Sequence, residues 1–214
     1  MPDTPITLSN RALVKLGAPT ITSLSATVDA SDRAATMCTL YEPTLKAALQ
    51  SARWNFTQIR ASLQAWTCNP VHEFSCAYLL PGDLLQVEET TLDEEIAWRR
   101  ESLYCSTTSV YTNIIVTDSC SPLNIVYSAY VTNPALWTPL FTEAFVTELA
   151  YQASFSLIAS QSRLDGLKEE RKEAWKVAKS RDGQENRTLK RWLSDSLLRA
   201  RFSRSTYRDP TRLS

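Results

Sequence analysis

The sequence predicts an α+β protein in which about four long helices form a bundle, a small antiparallel β domain is inserted, and a basic arm follows. Three observations carry that expectation. Apolar residues recur at steps of three and four on either side of the middle of the chain, short β-rich runs fill the middle, and positive charge gathers at the C-terminal end. The implied divisions are a helical part of residues 1–53 and 131–184, a β domain of 54–130 and an arm of 185–214. With 214 residues and 43% apolar content the chain can bury a sizeable core, which excludes the disordered and fibrous classes.

The first helix is expected over Ile6 to Leu16, with Ala12, Leu13 and Leu16 on its apolar side and Gly17-Ala18-Pro19 as its stop. A Ser/Thr-rich connector leads to Asp29 or Ser31, either of which can cap a second helix running through Ala34, Met37, Tyr41, Leu45 and Ala48 to Ala52. Pro43 lacks a backbone donor and crowds the preceding turn, so a kink or two abutting helices are expected at Tyr41-Glu42-Pro43. The β-rich runs are Trp54 to Ile59, Phe74 to Leu80, Leu84 to Glu89, Ile96 to Arg99, Val110 to Val116 and Asn124 to Tyr130. They predict a small, mostly antiparallel sheet, with Pro81-Gly82-Asp83 as a type II turn between two strands. Asn133-Pro134 opens a third helix, whose Trp137, Phe141, Phe145, Leu149 and Ala153 mark it as the central core helix. The fourth, from about Ser162 to Ser180, sets Leu164, Leu167, Ala174, Trp175 and Ala178 against lysines and glutamates, and Asp182-Gly183-Gln184 ends it.

Several function classes are excluded at this level. The start Met1-Pro2-Asp3-Thr4-Pro5 is no secretory leader, and the uncharged stretch Leu149 to Ser162 falls short of the ~20 apolar residues of a membrane span. Equal numbers of basic and acidic residues, 23 each, argue against a nucleic-acid binder held by bulk charge. Cys38, Cys68, Cys76, Cys105 and Cys120 are odd in number and scattered, which predicts reduced thiols in a reducing compartment rather than a disulfide framework. Cys68, His72 and Cys76 are evenly spaced, but Asn69-Pro70 interrupts them and structural zinc wants four ligands. One histidine, four glycines and no nucleophile elbow leave neither a catalytic triad nor a phosphate loop. The acidic pairs at Glu88-Glu89 and Asp93-Glu94-Glu95 read as solvated surface. No catalytic, cofactor-binding or metal-binding residue is therefore assigned.

A resemblance then becomes usable. Arg11-Ala12-Leu13-Val14-Lys15-Leu16-Gly17-Ala18, Arg33-Ala34-Ala35 leading to Leu40-Tyr41-Glu42-Pro43, and Trp54-Asn55-Phe56 are followed by Tyr78 to Val87 around Pro81-Gly82-Asp83 and by Tyr130 to Ala144 around Asn133-Pro134. In that order and spacing, over about residues 6–180, the chain resembles the head-to-tail adaptor family of short-tailed bacteriophages, also called tail tubular protein A. It departs from the family pattern at Glu42, where an Asp is usual, and at Asn133-Pro134 and Trp137-Thr138, where Asp-Pro and Phe-Asp are usual. Residues 90–121 and the tail beyond Arg187 match nothing in the pattern.

The resemblance implies a non-enzymatic virion protein without cofactor. It would form a ring of about twelve copies at the head-tail junction, made of heterologous contacts. Its partners would be the portal protein above, the tail nozzle or tube protein below, and further copies of itself; genomic DNA would pass through the lumen without sequence-specific binding. It would be assembled in the host cytoplasm and meet no membrane. The alternatives are a peptidoglycan hydrolase using paired carboxylates and a nucleic-acid-binding module using the basic arm.

The arm is the sharper expectation. Residues 187–214 hold eight basic and two acidic residues, so they carry +6 and residues 1–186 carry −6. Leu189, Trp192, Leu193, Leu197 and Ala200 share one helical face. Arg187, Lys190, Arg191, Trp192, Arg199, Arg201, Phe202, Arg204, Tyr207 and Arg208 are the candidate portal-docking residues, arginines and aromatics being the side chains that dominate interfaces. The competing reading is a fifth helix packed on the chain's own helices, followed by a loose end.

Overall fold

The structure, a computed structural model, describes residues 3–25, 28–68, 70, 72–90, 92, 96–105, 110–119, 122–157 and 161–185. Among them are four helices and two small antiparallel sheets, a mixed α+β arrangement. Helix α1 (Pro5–Leu16) starts at a reciprocal cap, in which Thr4 and Thr7 each accept a hydrogen bond from the other's backbone N–H. It ends at Gly17, whose φ of 69° the glycine adopts without steric cost.

Helix α2 (Asp32–Gln50) is capped by the Ser31 hydroxyl, which accepts from the Ala34 N–H at 3.3 Å. It continues through Pro43 as one helix, where two abutting helices were an alternative expectation. Its buried Leu45, Ala48 and Leu49, on the far side of the proline, hold the second half in the same core as Ala34 and Met37. Helix α3 (Pro139–Leu157) is the buried one: Phe141, Ala144, Phe145, Val146, Leu149, Ala150 and Ala153 have no exposure, packed in one core with residues of α1, α2, α4 (Gln161–Glu185) and the aromatics Trp54, Phe56 and Trp137. Asn133-Pro134 opens a short 3-10 turn over Pro134–Leu136 rather than α3 itself.

The β-rich region forms two sheets where one was expected. Strands β1 (Gln58–Leu63), β6 (Leu123–Ala129) and β3 (Leu84–Thr90) make one sheet in the order β1-β6-β3; β2 (Cys76–Leu79), β5 (Val110–Thr117) and β4 (Trp98–Cys105) make the other in the order β2-β5-β4. Tyr78 and Ile115 from the second sheet meet Leu63, Leu84, Leu123, Ile125 and Tyr127 of the first in one apolar cluster. The alternate residues Ala77, Ile114 and Val116 bury the opposite face under Trp66 and Phe74, as the period of two along a strand requires.

Two boundaries also differ from expectation. The run Trp54 to Ile59 begins as a 3-10 turn at Asn55–Thr57, because Trp54 is drawn into the helical core and its indole N–H donates to the Ala48 carbonyl at 3.1 Å. Helix α4 runs on through Gly183 to Glu185 instead of stopping at Asp182-Gly183-Gln184. The reason lies in Asp182, described next.

Candidate docking surfaces

All ten candidate arm residues, from Arg187 to Arg208, lie outside the described residues. The root of the arm is described. Asp182 follows the buried Ala178 by one helical turn and is buried with it on the same face. Its two carboxylate oxygens accept from the Asn55 backbone N–H at 3.2 and 3.3 Å, and its backbone carbonyl accepts from Asn55 Nδ2 at 2.8 Å. Burial pushes the Asp182 carboxyl above the usual carboxylate range, against the lowering effect of the Asn55 N–H. One turn earlier, Lys179 donates to the Ser51 carbonyl at 3.0 Å. The last turns of α4 are thus tied to the end of α2 and to the entry into the sheets.

Two grooves flank α4. At 100° per residue, Arg171, Lys172, Trp175 and Lys179 face one side of the helix and Glu169, Glu170, Glu173, Ala174 and Val177 the other. The first groove, of about 630 Å³, runs between α4, α3 and α2 over Leu40, Pro43, Ala47 and Trp175, with Arg171, Lys172 and Lys179 on its rim. Its one carboxylate, Glu148, is engaged by Trp175 Nε1 at 2.8 Å, Gln152 Nε2 at 3.0 Å and Arg171 at 3.3 Å. The Arg171 guanidinium also lies over the Tyr151 ring, 4.3 Å from its centroid.

The second groove, of about 570 Å³, lies between α3 and α4 and has the opposite sign. Its floor is Leu140, Ala174 and Val177, and its rim carries Glu143, Glu169, Glu170 and Glu173. Glu143 and Glu170 share Lys15 at 2.7 and 2.5 Å, and Arg11 adds a bond to Glu143 at 2.6 Å. The hydrogen bond from Lys15 holds the Glu143 carboxyl below the usual range despite burial; Lys15, which burial alone would lower, is raised by the same bonds. Among the described residues Glu169 and Glu173 make exposed pairs on their own helix alone, with Lys172 at 2.7 Å and Lys176 at 3.7 Å.

Among the described residues nothing comparable assembles around the chemistry-bearing side chains. Glu88 accepts from Ser128 Oγ at 2.7 Å and Glu89 pairs with Arg53 at 2.7 Å, so both act within the sheet and its junction with α2. Asp93, Glu94 and Glu95 lie outside the described residues, and His72 is exposed. Among the described residues no group of three His, Cys, Asp or Glu could hold a metal ion, and no helix is long and apolar enough to cross a membrane.

The cysteine expectation is corrected. Cys68 and Cys76 are each disulfide-bonded, and Cys38 is an exposed free thiol. Sequence spacing carried no sign of this, because pairing follows from which residues the fold brings within bonding distance and not from distance along the chain.

No protein-family model matches the chain, and no curated protein matches it with significance. Its functional reading therefore rests on its own residues. Besides Asp182, Glu148 and the acidic groove, sequence reading missed the far end of the β4–β5 hairpin. There Tyr104 and Tyr111 are paired across the strands with ring centroids 5.0 Å apart, and both are exposed. Two facing aromatics on neighbouring runs were the available signal, but the run containing Tyr104 was placed too early, at Ile96 to Arg99.

Proposed function

We propose that the chain is a structural head-to-tail adaptor of a short-tailed phage: a helical bundle with an inserted β domain and a basic arm. In this reading about twelve copies form a ring under the portal, extend the DNA channel and seat the tail nozzle. The observation that carries it is the part played by the stretches that resemble that family: apart from Arg33 to Pro43, which lies within α2, each is used in joining one element to the next. Gly17 closes α1 with N–H donation to the Val14 carbonyl at 2.9 Å, and a Cβ added there would come within 2.9 Å of the Arg163 guanidinium at the start of α4. Trp54 fills the helical core, and Asn55 ties down Asp182. Pro81 and Asp83 turn the chain between β2 and β3, the Pro81 carbonyl accepting from Leu84 N–H at 3.1 Å and the Asp83 carbonyl from Tyr130 N–H at 2.7 Å. Pro81 thus opens the turn and Gly82 is not at positive φ, so it is not the type II turn expected. Asn133 caps the turn that leads into α3, and Trp137 donates to the Val131 carbonyl at 3.0 Å.

Motif residues engaged in joining elements support a role in assembly, since catalysis would need some of them free in a cleft. The basic arm is the portal-docking element of this reading, rooted at the pinned end of α4. Electron microscopy of the purified protein mixed with its portal tests the proposal. A ring under the portal is expected; the absence of any complex at micromolar concentrations would remove it. Deleting residues 187–214 should abolish portal binding, and unchanged binding would remove the arm from the account.

A further inference from the structure

We infer that the acidic groove between α3 and α4 is the seat of the chain's own segment 189–204, which folds back along α4 as an antiparallel neighbour. The inference stands on the groove and the sequence and does not require the adaptor reading. The groove offers an apolar floor in which Leu140 and Val177 are 39% and 43% exposed; its described lining holds four glutamates and no basic residue, with Lys15 and Arg11 reaching Glu143 and Glu170 from α1. The segment that follows α4 has the complementary make-up, an apolar face continued by Arg201 and Arg204. The groove on the other side of α4 is excluded as its seat, because Arg171, Lys172 and Lys179 would repel it.

Register selects the chain's own segment over that of another copy. A connection of about three residues is enough to join two antiparallel helices. With residues 186–188 as that connection, antiparallel pairing sets Leu197 beside Val177, Ala200 beside Ala174, Arg201 beside Glu173 and Arg204 beside Glu170. Positions 197, 200, 201 and 204 share one helical face, so apolar meets apolar on the floor and cation meets carboxylate at the rim. Glu169 and Glu173 are available for new partners, since their pairs with Lys172 and Lys176 are exposed and weak.

The test uses the full chain with Val177→Cys and Leu197→Cys, and with the exposed Cys38 changed to Ser. Under mild oxidation in dilute solution an intramolecular disulfide between the two new cysteines is expected, located by peptide mapping. A control pair, Ala47→Cys with Leu197→Cys, probes the basic groove and should give none. Adding Arg201→Glu and Arg204→Glu should slow the bond about fivefold, the size of two reversed surface pairs. Adding Glu173→Lys, which faces position 201 in this register, should restore part of the rate. Absence of the bond, equal bonding in the control pair, or a disulfide linking two copies would each overturn the assignment, the last in favour of a seat for a neighbouring subunit's segment.

Discussion

Replacing Phe141 by alanine should be among the most damaging single changes in the molecule. Phe141 has no exposure to solvent. Its ring meets Trp54 and Phe56 at 4.9 Å, Trp137 at 5.3 Å, Trp175 at 5.8 Å and Phe145, stacked, at 6.4 Å. Buried Phe→Ala changes cost about 3–5 kcal/mol, and aromatic pairs add about 0.5–1.5 kcal/mol each beyond area. A side chain ringed by aromatics on α3, α4 and the α2–β1 connection cannot be replaced by a local collapse. The loss therefore belongs at the upper end, about 4–5 kcal/mol, a large fraction of the ~5–15 kcal/mol that holds a typical domain. Urea unfolding followed by far-ultraviolet circular dichroism measures it. Phe155→Ala is the control: that ring is 64% exposed, so the change should cost under about 1 kcal/mol. A Phe141→Ala loss below about 2 kcal/mol, or equal losses in the two variants, would refute the view that this cluster organises the helices.

Three further outcomes are expected. Asp182→Asn keeps an acceptor for the Asn55 N–H without the cost of a buried charge and should leave stability within about 1 kcal/mol of the original, whereas Asp182→Ala strands that donor and should cost about 1–3 kcal/mol by denaturant titration. Lys15→Met should weaken the fold most near neutral pH. Glu143 has a lowered carboxyl and Lys15 a raised ammonium, so their contribution is present between those two ranges; the difference between variant and parent in thermal melts should shrink as pH falls through the lowered Glu143 range. Because Cys68 and Cys76 are disulfide-bonded, a thiol reductant should lower stability by about 2 kcal/mol or more, and unchanged melting in reductant would count against those bonds.

The helices were the legible part of this fold. Periodicity, the Ser31 cap, the Gly17 stop and the aromatic run of α3 are local signals, and each is used locally in the structure. What failed to show is what depends on partners distant in sequence. An alternating strand declares which side is apolar but not which strand will cover it, so β1, β3 and β6 could not be separated from β2, β4 and β5. Trp54 looked like the first residue of a strand because aromatic residues favour strands, yet a cavity among the helices claims it. Gly183 looked like a helix stop because a glycine so often is one, but Asn55, far away in the chain, holds Asp182 in helical register across it. The charge split between arm and body was plain in the sequence. The acidic groove was not, because it takes Glu143 from one helix and Glu169, Glu170 and Glu173 from another.

The bond between Asp182 and Asn55 turns the end of α4 into a fixed pivot. Whatever lies just beyond Glu185 is tethered to a point about one short connection from the acidic groove, at an effective concentration in the millimolar range. A partner that recruits the arm from solution, the portal in our reading, must outcompete that local supply, and its apparent affinity falls by the fraction of time the arm is seated. Weakening the seat should therefore tighten capture of the arm by a free partner without altering a single contact between them.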